Sequence, residues 1–208
     1  MKDENPLESS YTEHLEEYVQ KYWTKIFETP KNENPATDPD GSRHDVNTNP
    51  VCLACDMTGK GKPVIRTLAN ISADKSIFIP VNDVGVSERE LDPGENVNHL
   101  KGHAKKDEDS ATHVKLTIDG KVYDLKDLKD KQYRIGNPIG PFEVVIPDNP
   151  LDGLEPPGKA MAVADGYYVI IKPLAPGQHT IKIEAGVSKP HREKEPWAQD
   201  VTYIINVT

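Results

Sequence analysis

Seven histidines and two cysteines are the residues whose chemistry can be weighed first. His99 and His103 stand four apart, the spacing that puts two imidazoles on one helix face and lets them grip a divalent metal ion. His113 offers a third ligand, with Asp107 or Asp109 close by in sequence. The general base of an HExxH site is missing, because Leu100 follows His99, and Gly102 weakens the helix. A solvent-exposed polar insertion accounts for the same residues without any metal.

A second constellation is polar. Arg66 and Arg134 occur among apolar strand neighbours, and a guanidinium turned inward needs a carboxylate, because an unpaired buried charge is costly. Asp165 is the candidate partner. His179 shares a strand face with Ile181 and Ile183, just after the Pro176-Gly177 turn. Arg66, Asn82, Arg134, Asp165 and His179 are therefore the expected ligand-binding pocket. Structural ion pairs and a satisfied core histidine are the plainer reading.

The other chemistries are thinner. Cys52 and Cys55 form a lone CxxC in a strand-like context, whereas a redox pair wants a helix N-terminus and a zinc site wants four ligands. Buried structural thiols are the expectation, with a metal half-site or a disulfide as alternatives. Asp38 and Asp40 before Gly41 resemble part of a calcium loop, but Ala36 and Asn47 stand where the first and last ligands should be, so an Asx turn is the better reading. No serine lies in a GxSxG setting. Gly59, Gly61 and Lys62 lack the strand and helix that a phosphate loop requires.

The elements that must position these residues are mostly strands. One helix is expected over 10–28: Ser10 and Glu13 form a capping box, Tyr11, Leu15, Tyr18, Val19, Tyr22 and Ile26 form a stripe, Trp23 and Phe27 widen it, and Pro30 ends it. A turn-rich loop follows over 30–50. From residue 50 the period is two, as in Val114-Leu116-Ile118, Phe142-Val144-Ile146 and Val201-Tyr203-Ile205-Val207. Pro80 marks an edge or a bulge, and Asp119-Gly120 and Asp165-Gly166 read as hairpin turns. About ten short strands without alternating helices predict a mainly β fold, an antiparallel β-sandwich of jelly-roll type. It carries one N-terminal amphipathic helix and a short helix in a polar insertion at 87–112. One domain is expected over 1–208, with an arm and helix in 1–30 and the sandwich in 50–208.

Composition narrows the partners. The chain has 208 residues and a net charge of -9, which disfavours nucleic acid. Residues 1–50 hold 11 acidic and 5 basic side chains, so -6 of that charge sits in the first quarter and the remaining 158 residues are close to neutral. No run approaches the ~18 apolar residues of a membrane span. Met-Lys-Asp-Glu-Asn-Pro at the start lacks the apolar core of a signal peptide, so the protein is expected to stay in the cell or to be exported with a leader outside this sequence.

Several blocks together resemble an uncharacterised family of roughly 200-residue bacterial and archaeal β-rich proteins. They are Tyr22-Trp23, Ile65-Arg66-Thr67, Ser76 to Asn82, Ile118-Asp119-Gly120, Ala164 to Tyr168, Lys172-Pro173-Leu174, Pro176 to Ile181, and Asp200 to Tyr203. The resemblance implies one compact β-rich domain, often secreted and of unknown function, so it carries no catalytic role over to this chain. The absent leader and Cys52-Leu53-Ala54-Cys55, where relatives tend to carry an aromatic-rich strand, depart from it.

The functional expectation is a non-enzymatic module for a small-molecule, carbohydrate or protein ligand, with Tyr123, Tyr167, Tyr168 and Trp197 as stacking groups. The alternatives are a metal-binding protein or metal-dependent enzyme using His99, His103 and His113, and a structural envelope or assembly component.

Overall fold

Alternating apolar residues become two stacked sheets in the computed structural model, which describes residues 7, 14–58, 60–126, 133–190 and 195–208. The strands are β1 (Val51–Cys52), β2 (Lys60–Ile71), β3 (Ile77–Ser87), β4 (Ala111–Ile118), β5 (Lys121–Asp124), β6 (Ile139–Ile146), β7 (Gly158–Ile171), β8 (Gly177–Val187) and β9 (Trp197–Val207). One sheet has the order β1-β3-β7-β6 and the other β2-β9-β8-β4-β5. The fold is the expected mainly β sandwich, and it is mixed at its edges. β1 runs parallel to β3, and β2 runs parallel to β9.

Period two decides which residues meet between the sheets. Ile77, Ile79, Val81, Val169 and Ile171 from the first sheet pack against Val114, Leu116, Ile181, Ile183, Val201 and Ile205 from the second. The other face of the first sheet is also apolar, and α1 (Leu15–Glu28) covers it. Val19, Tyr22, Trp23, Ile26 and Phe27 lie on one side of α1 because they recur every three or four residues. Each such side chain contributes about 1.5–3 kcal/mol when fully buried. Gly85 makes the closest approach: a Cβ there would lie 2.3 Å from Cε3 of Trp23. Ser10, Tyr11 and Glu13, the expected start of this helix, lie outside the described residues.

The insertion at 87–112 is anchored to the sheet. It holds 3-10 turns at Glu88–Glu90 and Val97–His99, followed by α2 (Leu100–Asp109). Leu100 and Ala104 pack on Val86 and Val163.

Two turn signals divide. Asp119 and Gly120 both take positive φ and link β4 to β5, as their sequence suggests. Asp165-Gly166 does not turn, and β7 runs straight through it. The ladder between β3 and β7 shifts at Pro80/Asn82, and a Cβ on residue 166 would lie 2.7 Å from the Asn82 carbonyl oxygen. Glycine is needed there so that the bulged strand can come close.

Candidate functional site

Of the five expected pocket residues, three converge and two do not. Arg66 is fully buried and ties the 34–56 loop to the second sheet. Its Nε donates to the Asp38 carbonyl at 2.8 Å, and its Nη1 donates to the Ala54 carbonyl at 2.9 Å and to Tyr203 Oη at 2.7 Å. His44 completes this network, with Nδ1 2.9 Å from an Asp38 carboxylate oxygen and Nε2 3.0 Å from Tyr203 Oη. Burial and the nearby Arg66 charge push His44 down to about 4, against the pull of Asp38. The imidazole is thus neutral, donating from Nδ1 and accepting at Nε2 from the Ala54 N–H. An Asp-His-Tyr-Arg chain so enclosed braces a loop.

His179 sits elsewhere, 2.7 Å from Asp119 and 2.8 Å from the Ala175 carbonyl. Partial burial works against its imidazolium, but these two acceptors outweigh burial and raise its pKa.

Asn82, Arg134 and Asp165 do meet. Arg134 donates to Asp165 at 2.8 Å and to Asp109 at 2.6 Å. Asn82 Nδ2 donates to Glu108 Oε1 at 2.6 Å. Glu108 is 1% exposed, and burial pushes its carboxyl well above the usual range. Its Oε2 and the Asn82 Oδ1 are both buried with no hydrogen-bond partner. Burial thus favours the uncharged form of the Glu108 carboxyl beside the Asn82 amide. This cluster holds α2 to β3 and β7.

The expected metal ligands do not assemble. His99 Nδ1 is engaged by Asn96, His103 Nε2 lies 2.8 Å from Glu95, and His113 Nδ1 lies 2.9 Å from Thr112 Oγ1. Among the described residues, no group of three or more His, Cys, Asp or Glu side chains could hold a metal ion. Of the expected stacking groups, Tyr168 and Tyr123 are buried, Tyr167 is half-buried, and Trp197 is half-buried at the rim of a cleft.

That cleft has a volume of about 510 Å³ and lies beside the end of α1 that carries Trp23. Trp23 and Trp197, the only two tryptophans of the chain, both line it, together with Met57, Cys55 and Asp83. Glu90, Asp107 and Asp152 add acidic character, and Lys31 is bound to Asp152 at 2.7 Å. Asp83 is the unusual group. It projects from β3 toward α1, and both carboxylate oxygens are buried with no hydrogen bond of ordinary geometry. Burial pushes its carboxyl up to about 7, and the Cys55 thiol and Tyr22 hydroxyl beside it hold it down only in part. No guanidinium or ammonium among the described residues pairs with it. Cys55 itself is raised well above the usual thiol range by burial and by Asp83, so it is a poor nucleophile.

Asp83 and the Trp23–Trp197 cleft were not singled out from sequence. The available signal was an acidic residue inside an apolar strand, at the position after Asn82 in Ile77–Ser87. The two tryptophans are 174 positions apart, so only the fold brings them to one cleft.

A second cleft of about 350 Å³ opens between α1 and the 44–54 loop. Its lining is largely apolar, with Tyr18, Ile26, Cys52 and Phe78, and Lys21 and Lys25 on the helix side.

No protein-family model, curated protein or solved structure matches the chain.

Proposed function

We propose that the protein is a non-enzymatic module that binds a small organic cation, a protonated amine, in the cleft lined by Trp23, Trp197 and Asp83. The observation that carries this reading is the buried, uncompensated Asp83 carboxyl at the wall of a cleft that also holds both tryptophans. An empty buried carboxylate is costly, and a cation of opposite charge offsets that cost. An indole face attracts a cation by about 0.5–2 kcal/mol, so the half-buried Trp197 at the rim and the acid favour the same ligand. The volume of about 510 Å³ lies within the range of small-molecule sites. The raised Cys55 thiol argues against nucleophilic catalysis at the same place.

The test is a fluorescence titration, since every tryptophan of the chain lines the cleft. Alkyl and benzyl amines are titrated against the alcohols of the same shape. Saturable changes with the amines alone, lost in Asp83→Asn, support the reading. Equal responses to amine and alcohol, or no response to any amine, overturn it.

A further inference from the structure

The geometry points to a second site: the cleft between α1 and the 44–54 loop takes a small organic acid with an apolar body, its carboxylate held by Lys25. This inference is independent of the amine reading and uses the opposite chemistry. The cleft's walls are Tyr18, Ile26 and Phe78, with Tyr18 and Tyr22 rings tilted about Phe78 at centroid distances of 6.2 and 6.1 Å. Such a surface suits an aryl or branched alkyl group.

The charge that would orient the ligand is Lys25. Lys21, one turn earlier, is already bound to Glu17 at 2.5 Å. Lys25 forms no ion pair with a described carboxylate, and it is not engaged by Asp45 on the opposite rim. Asp45 turns back to its own loop, accepting from the Asn47 N–H at 2.9 Å. Beside burial, which dominates at both groups, Lys25 acts weakly on two residues that line the cleft: it adds to the lowering of His44 and opposes the rise of Cys52. An ammonium at an apolar cleft whose one lining carboxylate, Asp45, is turned to its own loop favours a carboxylate bound there.

The position of Lys25 in the last turn of α1 also suits the helix dipole, and that alone would explain a lysine at this place. It would not explain an apolar cleft beneath it. The wall between the two clefts is formed by Tyr22, which lines this one, and Cys55, which lines the other. A ligand in one therefore need not enter the other.

The probe is 8-anilinonaphthalene-1-sulfonate, whose emission rises when its rings leave water. Displacement by 3-phenylpropanoate is compared with displacement by 3-phenylpropanamide. The acid is expected to displace the probe and the amide to be roughly tenfold weaker, the size of one charge-assisted hydrogen bond. Lys25→Gln should reduce the acid's affinity by a similar factor, and Lys25→Arg should retain it. Both variants alter an exposed side chain, so folding is preserved, and the tryptophan response to amines should be unchanged in both. Equal displacement by acid and amide, an unaltered affinity in Lys25→Gln, or no displacement at all overturns the second site. Loss of the amine response in wild type with the acid response retained would sink only the first reading.

Discussion

Tyr22 Oη lies 3.2 Å from Cys55 Sγ, and this contact is the partition between an acidic cleft and a basic one. Both groups are buried and both are held in their neutral forms, Tyr22 by burial first and Asp83 second. The carboxyl of Asp83 stands beside the pair without a hydrogen bond of ordinary geometry. A carboxyl that burial raises thus stands beside the boundary between two cavities.

Asp83→Asn should stabilise the protein at neutral and alkaline pH. The folded pKa is about 7 and the ordinary value is 3.8, so the native state binds the proton more tightly. Stability from this group is complete below pH ~4 and is lost as the pH rises to about 7, by at most about 4 kcal/mol. Urea midpoints for wild type and Asp83→Asn at pH 4.5 and pH 8 measure the difference. Asparagine should gain on wild type between the two pH values. A constant gap would show that Asp83 titrates normally.

Glu108→Gln should be tolerated and Glu108→Ala should not. Glutamine keeps the acceptor for Asn82 Nδ2 and is uncharged, as burial favours at this position. Alanine leaves the Asn82 Nδ2 donor unmet as well as its Oδ1, at a cost of about 1–3 kcal/mol. Thermal melts at pH 7 rank the three proteins. A glutamine variant as unstable as alanine would contradict an uncharged side chain accepting from Asn82 at this position.

The His44 ring should stay neutral down to about pH 4, well below an ordinary histidine. Its folded pKa is lowered, so the unfolded chain binds the proton first and stability falls as pH drops from about 6.5 toward 4. Asp38, held at about 2 by backbone N–H groups and His44 against the opposing effect of burial, adds to the loss at lower pH. An NMR titration of the imidazole resonances reads this without any mutation. A midpoint near 6.5 for His44 would refute the closed network.

The strands, their inward faces and the Asp119-Gly120 hairpin were readable because local alternation and turn chemistry decide them. Asp165-Gly166 misled for a physical reason. The same dipeptide that favours a tight turn also suits a strand where another backbone crosses close, and only the β3 bulge tells them apart. Arg66 faces inward with the Asp56 carboxylate 3.8 Å away, yet most of its hydrogen bonds go to backbone carbonyls of the 36–55 loop. Carbonyl oxygens belong to every residue, so no side-chain pattern could announce them. Asp83 and Glu108 were illegible as acids with raised carboxyls because burial, which raises both, belongs to the packed fold.

β2 and β9 lie side by side, with Val64 opposite Val201 and Leu68 opposite Ile205. During synthesis, β2 therefore leaves the ribosome on the order of ten seconds before its partner exists, at ~5–20 residues per second. The first sheet and α1 can gather in that interval, since β3, β7 and β6 all precede β9. β2, one edge of the second sheet, waits with unpaired backbone groups until β9 has been made. Its order of arrival makes this strand the part of the nascent protein most open to mispairing and most dependent on whatever holds new chains apart.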